Sequence, residues 1–430
     1  MKVCFFTLGC KVNQQETAAM INIFRKAGYE VVHGEEAADV YVVNSCTVTL
    51  NGDRKSIQWI RRARRQNPDA VTALCGCMPQ AFPQKAIDVE EADIIIGSKG
   101  KGEILNLVNK FREDRERHID IVPHSENDKF EELASETDAL HTRAFLKIQD
   151  GCNRQCAYCI IPKARGRVRS RPVDSIVEEA RKMAAAGHKE IVLTGVNISC
   201  YGQDLGNNVC DAIEAVAEID EVKRVRLGSL ELDLFTDEML VRMSKVEKFC
   251  PHFHLSLQSG SDKTLKNMNR LYDTKLYTDM MNRLRELFDK PSFTTDIIVG
   301  FPQESEEDFL DSVAYMQKCR FMRVHCFSYS QRPGTVGATM PGQIDNATKS
   351  NRNRIMTFKS EQIRDSVYEE YIGFEEEALL EQKTADGYFT AYTKRYIPVL
   401  VKDNGYSAGD IVKIRLTAIN GSKMDCEVVE

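Results

Sequence analysis

The sequence predicts an α/β protein in three parts: an amino-terminal Rossmann-like parallel sheet, a partial (β/α)6 barrel of TIM type, and a small carboxy-terminal antiparallel β-barrel. Three features point to it. Runs rich in Val and Ile alternate with helical patterns over the first hundred residues. Six further strand and helix patterns follow a charged stretch, and the last sixty residues break into short alternating strands with Gly turns. A length of 430 residues fits about three domains at roughly 150 residues each.

In chain order, the runs VCFFTLGC, ADVYVVNSC, AVTALCGC and ADIIIGS are separated by a helix from about Asn13 to Lys26 and by a basic helix. They read as a parallel sheet buried on both faces, in a first domain over 1–110. The first three runs finish on Cys10, Cys46 and Cys77. In an open α/β sheet the carboxyl ends of the strands line one crevice, so three thiols distant in sequence can converge there. Residues 111–141 carry many charges, Pro123 and little periodicity, and read as a linker.

The strands AFLKIQ, EIVLTG, RVRLGS, HFHLSLQ, FTTDIIVG and RVHCFSYS, with helices such as DSIVEEARKMAAAG between them, predict the partial barrel over 142–370. Its open side suits a large substrate. A long helical pattern from Asp345 to about Tyr371 leads into the last domain, 371–430, whose size and composition are shared with nucleic-acid-binding modules. There Tyr388, Tyr392, Lys394, Arg395 and Tyr396 mix aromatic and basic groups that can stack on bases and contact phosphates. The competing reading is that the tyrosines pack the barrel.

Hydrophobic residues make up 42% of the chain and charged residues 28%, which excludes a disordered chain. No apolar run approaches the roughly 20 residues of a spanning helix. The start MKVCFFTLGCKVN lacks the regions of a signal peptide, so a cytoplasmic protein is expected. In such a chain fourteen cysteines point to metal ligation, catalysis or core packing rather than disulfides. The net charge of −6 argues against indiscriminate nucleic-acid binding, although Arg54 to Arg65 holds six basic and no acidic residues.

The stretch GCNRQCAYCIIPKARG places Cys152, Cys156 and Cys159 in the spacing C-x3-C-x2-C, directly after the first barrel strand. Three close thiolates suit a four-iron cluster, which takes four ligands, so one iron is left without a protein ligand. An open iron can chelate the amino and carboxylate groups of S-adenosylmethionine and deliver an electron that cleaves its sulfonium bond. Zinc is the competing reading, weakened by three thiols and no neighbouring His.

That spacing, with Tyr158 before the last Cys, resembles the signature of radical S-adenosylmethionine enzymes. Together with Cys10, Cys46 and Cys77, the whole chain resembles the methylthiotransferases of that superfamily. TLGCKVNQQET is similar to the opening of the branch that acts on N6-threonylcarbamoyladenosine in tRNA, with Gln15 where Tyr is usual. RGRVRSR, LTGVNIS, RLGSLEL, HLSLQSGSDKTLKNMNR, TDIIVGFP and SYSQRPGT extend the resemblance end to end.

The resemblance implies a cluster domain, a radical S-adenosylmethionine barrel and a carboxy-terminal TRAM domain. It implies two [4Fe-4S] clusters and two molecules of S-adenosylmethionine, used to methylthiolate C2 of the adenine at position 37 in the tRNA anticodon stem-loop. The barrel cluster would generate a 5′-deoxyadenosyl radical that takes hydrogen from C2. The second cluster, on Cys10, Cys46 and Cys77, would present a methylated sulfur to the carbon radical. The pattern GC-x-x-Q selects Cys77 over Cys75. Tyr158 belongs to the barrel-cluster loop, and backbone groups of the turn Thr194-Gly195-Val196-Asn197, at the end of the second strand, could hold the methionine amine. Ser256 and Gln258 would lie near the ribose and methionine, and Gly300, with Phe301 and Pro302, would shape the adenine pocket. Arg167 and Arg169 could counter a carboxylate or phosphate. His252 and His254 are read as packing, and the other cysteines as small buried hydrophobes. A monomer is expected. The rivals are a methylthiotransferase acting on isopentenyladenosine or on a ribosomal-protein aspartate, and a non-catalytic iron–sulfur RNA-binding redox sensor.

Overall fold

The computed structural model describes residues 1–34, 36–133 and 142–429. The amino-terminal sheet is parallel throughout, in the order Glu30–Val32, Lys2–Thr7, Val40–Ser45, Val71–Gly76, Ile94–Ile96, His118–Asp120. Its central strands Val40–Ser45, Val71–Gly76 and Ile94–Ile96 are buried on both faces, as their apolar runs require. Val40, Val42 and Ala73 pack against Met20 and Phe24 of the helix Lys11–Lys26 and Val108 of the helix Ile104–Asp114. On the other face, Val43 and Leu74 meet Ile60 of the helix Leu50–Gln66. The last of these helices is the basic one; Thr49 caps it by accepting from the Gly52 amide, and Arg64 is tied back to Asp93 at 2.6 Å.

Part of the stretch read as a linker belongs to this sheet. The helix Ile104–Asp114 runs past residue 110, and His118–Asp120 adds a sixth strand beside Ile94–Ile96. A three-residue strand that reads His-Ile-Asp joins by backbone pairing alone and has no apolar run to announce it. Residues 134–141 of that stretch lie outside the described residues.

The barrel strands are Arg143–Lys147, Glu190–Thr194, Arg224–Leu227, His252–Leu255, Ser292–Val299 and Arg323–Ser328, all with parallel partners. After Gly228 the chain continues from the third strand into Ser229–Leu230, which pairs with His252–Leu255 and carries the curve onward. Among the described residues the first and last strands do not pair with each other, so the barrel is partial. The helix Asn346–Glu369 covers the last strand, and Asn353 donates to the Cys326 carbonyl at 3.1 Å.

The carboxy-terminal strands close into a five-stranded barrel in the order Glu375–Lys383, Tyr388–Thr393, Pro398–Lys402, Lys423–Val428, Ile411–Asn420. It docks where the large barrel's strands begin. Arg226 donates to the carbonyls of Lys394 and Thr393 at 3.0 and 3.2 Å, and Arg224 to that of Tyr392 at 3.2 Å. Tyr396 stacks on Tyr392 at 4.7 Å and on His252 at 4.8 Å, under the Arg143 and Arg226 guanidiniums. Arg395 pairs with Glu376 at 3.0 Å and crosses to the large barrel by donating to the carbonyls of Lys290 and Asp289, each at 2.7 Å. Of the aromatic and basic group read as an RNA surface, Tyr392, Arg395 and Tyr396 therefore serve the domain junction, while Tyr388 is exposed.

Candidate functional site

The three amino-terminal cysteines stand just beyond the carboxyl ends of neighbouring strands. Cys10 directly precedes the helix Lys11–Lys26, Cys46 follows Val40–Ser45, and Cys77 follows Val71–Gly76. Two glycines bring them close. Gly9 has φ +105°, and a Cβ there would lie 2.9 Å from the Cys46 sulfur; Gly76 has φ +103°, and a Cβ there would lie 2.7 Å from the Ser45 carbonyl. Asn13, fully buried, donates to the carbonyls of Leu8 and Ser45 at 2.7 and 3.0 Å and so ties the Cys10 turn to the Cys46 turn. Burial pushes the Cys46 thiol up to about 12, and Cys77 and Cys10 push it further the same way. The three sulfurs are thus electrostatic neighbours. Cys75 faces the helix-packed core with Val71 and Ala73 instead.

The second triad sits in the loop after the short strand Gln149–Asp150. Gly151, φ +72°, opens this loop; a Cβ there would lie 1.8 Å from the Arg167 carbonyl, so no other residue fits. Asn197 points its amide nitrogen at the Cys152 sulfur at 3.6 Å. Arg270 donates to the Cys156 sulfur at 3.1 Å and the Tyr158 hydroxyl at 3.3 Å and pairs with Glu231 at 2.8 Å. Burial pushes the Cys159 thiol up to about 12, and Cys156 and Cys152 raise it further. All fourteen cysteines are free thiols.

The donor sets fit iron–sulfur clusters better than zinc. Zinc bonds of about 2.3 Å hold thiolate sulfurs about 3.8 Å apart. Neither triad gathers its three sulfurs within 4.8 Å; among the described residues only His254, Asp296 and His325 bring three ligand atoms that close. Arg323 and Lys11 bear electrostatically on His325, a cationic setting that disfavours a metal ion there. Among the described residues, two buried polar atoms beside the barrel triad lack a partner, the Asn197 side-chain oxygen and one Arg270 guanidinium nitrogen. One unpaired acceptor and one unpaired donor are what an amino and a carboxylate group need.

The other sequence-named residues divide. Thr194 is buried at the end of its strand, and Gly195 leaves room where a Cβ would lie 2.7 Å from the Gln149 side-chain oxygen. The Ser256 carbonyl accepts from the Tyr272 hydroxyl, and Tyr272 in turn accepts from Arg270 at 3.1 Å. Gln258, at φ +68°, is bound into the sheet through its backbone by Asp296 and Ile298. The Gly300 amide donates to Glu304, so it is not free for a ligand, and Phe301 packs with Tyr158, Ala157 and Tyr329. Arg167 is not brought to the cysteines: its side chain is 68% exposed and pairs with Glu126. Arg169 is buried, but it serves Asp150 and the carbonyls of Arg165 and Arg167. His252 and His254 share the Thr294 hydroxyl, in agreement with a packing role.

Sequence reasoning missed Arg165, Arg270 and Glu231. Arg165 lies in KARGRVRSR two residues from a named arginine, but the helix Ile161–Arg165 ends at Gly166, φ +70°, and turns Arg165 inward.

Residues 146–316 match the Radical SAM superfamily, and residues 2–97 match the Uncharacterized protein family UPF0004. The chain is 38% identical over 420 residues to the threonylcarbamoyladenosine tRNA methylthiotransferase MtaB of Bacillus subtilis (strain 168), covering 96% of this chain and 93% of that one. It is also 38% identical to the protein of the same name from Aquifex aeolicus (strain VF5), covering 96% and 100%. Its fold is similar to that of the radical S-adenosylmethionine methyltransferase TsrM from Kitasatospora setae, solved with cobalamin and a [4Fe-4S] cluster. That match has a TM-score of 0.57 and 13% identity over 95% of this chain and 80% of that one.

Proposed function

The chain belongs to the radical S-adenosylmethionine tRNA methylthiotransferases, and from that premise we propose that it methylthiolates C2 of N6-threonylcarbamoyladenosine at position 37, in the anticodon stem-loop of tRNA. It uses a [4Fe-4S] cluster with S-adenosylmethionine; a second cluster and a second S-adenosylmethionine are part of the proposal. The match of 38% along nearly the whole chain to relatives named for that nucleoside is the observation that carries the substrate. We assign 1–110 and the added strand to the cluster domain, 142–370 to the radical domain and 371–430 to the RNA-binding domain.

Cys152, Cys156 and Cys159 would hold the first cluster, which when bound supplies the electron that cleaves the sulfonium. Cys10, Cys46 and Cys77 would hold the second, beside the sulfur to be transferred. The chain's own part is to bind and orient. Asn197 and Arg270 offer an acceptor and a donor beside the barrel triad. Glu231 anchors Arg270 at 2.8 Å and Arg154 at 3.1 Å, so both arginines are held before any ligand arrives. Phe301, Tyr329 and Tyr158 pack as one apolar cluster beside the loop and support it from one side.

Gly151→Ala forces the loop away from the Arg167 carbonyl, and a displacement near 1 Å is expected to lower S-adenosylmethionine cleavage by about a hundredfold. Helix content by circular dichroism should stay at the parent value; cleavage at the parent rate would contradict the loop's role.

The function is tested by anaerobic reconstitution with iron, sulfide, reductant, S-adenosylmethionine and tRNA that lacks the methylthio group, followed by mass analysis of the digested nucleosides. Conversion of threonylcarbamoyladenosine to its 2-methylthio form is expected. Methylthiolation of isopentenyladenosine alone would overturn the substrate and keep the chemistry.

A further inference from the structure

Between the two cysteine triads lies a buried cluster of six charged side chains. Arg165, Lys101, Lys147 and Arg169 are cationic; Glu16 and Asp150 are anionic, and none of the six is more than 6% exposed. Glu16 meets Lys101, Lys147 at 2.8 Å and Arg165 at 3.0 Å. Asp150 meets Lys147 at 2.6 Å, Arg165 at 3.3 Å and Arg169 at 3.6 Å. Four cations face two anions, and a buried charge excess is costly unless an anion completes it. The neighbour placed to complete it, as the thiolate of a cluster ligand, is Cys77: Arg165 donates its Nε–H to that buried sulfur at 3.2 Å.

Arg165 also joins the two ligand loops. Its Nη2 donates to Asn13 at 2.6 Å, the residue that ties the Cys10 turn to the Cys46 turn. Its Nη1 meets Asp150, which accepts from the Gly151 amide at 2.7 Å, next to Cys152. Arg165 itself lies six residues after Cys159. One guanidinium thus touches a sulfur of the first triad and the loop that presents the second.

We propose that Arg165 is a positioning residue that fixes the amino-terminal sulfur set against the barrel loop and, through its charge and its bond to Cys77, favours the reduced state of the cluster held there. The inference rests on the proposed second cluster. Each electron added to a thiolate-bound cluster makes the sulfur set more negative, so a fixed cation and a sulfur hydrogen bond stabilise the reduced form and raise its potential. Lysine cannot replace the fork, because a single ammonium cannot reach Cys77, Asn13 and a carboxylate in one plane.

The test uses the full chain with Cys152, Cys156 and Cys159 all changed to alanine, so that the only cluster is the amino-terminal one. Its one-electron reduction is followed by electron paramagnetic resonance in a titration with dithionite and viologen mediators, which supply the electron. Arg165→Met should lower the reduced-to-oxidised ratio at a fixed potential by at least tenfold, equivalent to about 59 mV for one electron. Arg165→Met with Glu16→Gln removes one charge of each sign, protects the fold, and should shift the ratio less but in the same direction. Arg165→Lys should recover part of it. An unchanged midpoint in both methionine variants overturns the inference. If the triple-alanine parent binds no iron, the second-cluster reading falls and the inference with it.

Discussion

Cys152→Ala is expected to abolish cleavage of S-adenosylmethionine, whereas Cys10→Ala is expected to leave cleavage near the parent rate and stop methylthio transfer. The separation follows from where the cysteines stand. Cys152 shares its loop with Cys156 and Cys159 and has Asn197 on its sulfur, with Arg270 on that of Cys156. Cys10 stands in another domain, exposed, beyond the end of the first strand. The link between the two places is the Arg165 and Asp150 network, and it does not include Cys10 directly. Each variant should keep about four of about eight iron atoms after reconstitution. Deoxyadenosine release and methylthio product, read side by side, give the result. Equal loss of both activities in both variants would contradict the division.

Glu190→Ala carries the largest expected loss of stability. Glu190 is fully buried between Arg226 at 2.7 Å and Arg224 at 3.6 Å, both buried themselves. Burial pushes its carboxyl up, but the two guanidiniums outweigh this and hold it down at about 2. Removing the carboxylate leaves two buried guanidiniums without it, at a cost of about 3–5 kcal/mol. Those arginines also hold the carbonyls of Tyr392, Thr393 and Lys394, so the carboxy-terminal barrel should loosen with the loss. Hydrogen exchange in the strand Glu190–Thr194 and proteolysis at the junction should both accelerate; protection equal to the parent would contradict the role. Because the folded carboxyl is depressed, its contribution is present above its ordinary value of 4.5 and is lost as pH falls from there towards 2. Acid should therefore accelerate both readouts in the parent over that window.

Much of this was legible because the chemistry lies at strand ends. Val and Ile runs mark the strands, and a Gly-Cys pair at the end of a run announces a positive φ with a thiol beside it, as Gly9 and Gly76 show. The C-x3-C-x2-C loop is local in sequence and needs no fold to be seen. What was not legible comes from contacts between distant segments. Arg270 reaches Cys156 across 114 residues, and Glu231 reaches Arg270 from another strand end. Arg165 ends a one-turn helix and Arg167 follows just past the Gly166 cap, so in sequence the exposed arginine looked equivalent to the buried one. Tyr392 and Tyr396 have the composition of an RNA surface, and only the docked barrel shows that a histidine and arginines already occupy their faces.

By the proposed function, one chain spends two molecules of S-adenosylmethionine on one adenine carbon. The most direct measurement uses tRNA whose threonylcarbamoyladenosine carries deuterium at C2, and counts three products by mass. One deuterated 5′-deoxyadenosine and one S-adenosylhomocysteine for each 2-methylthio nucleoside is the expected result. Deoxyadenosine without deuterium, or methylthio product without S-adenosylhomocysteine, would contradict it.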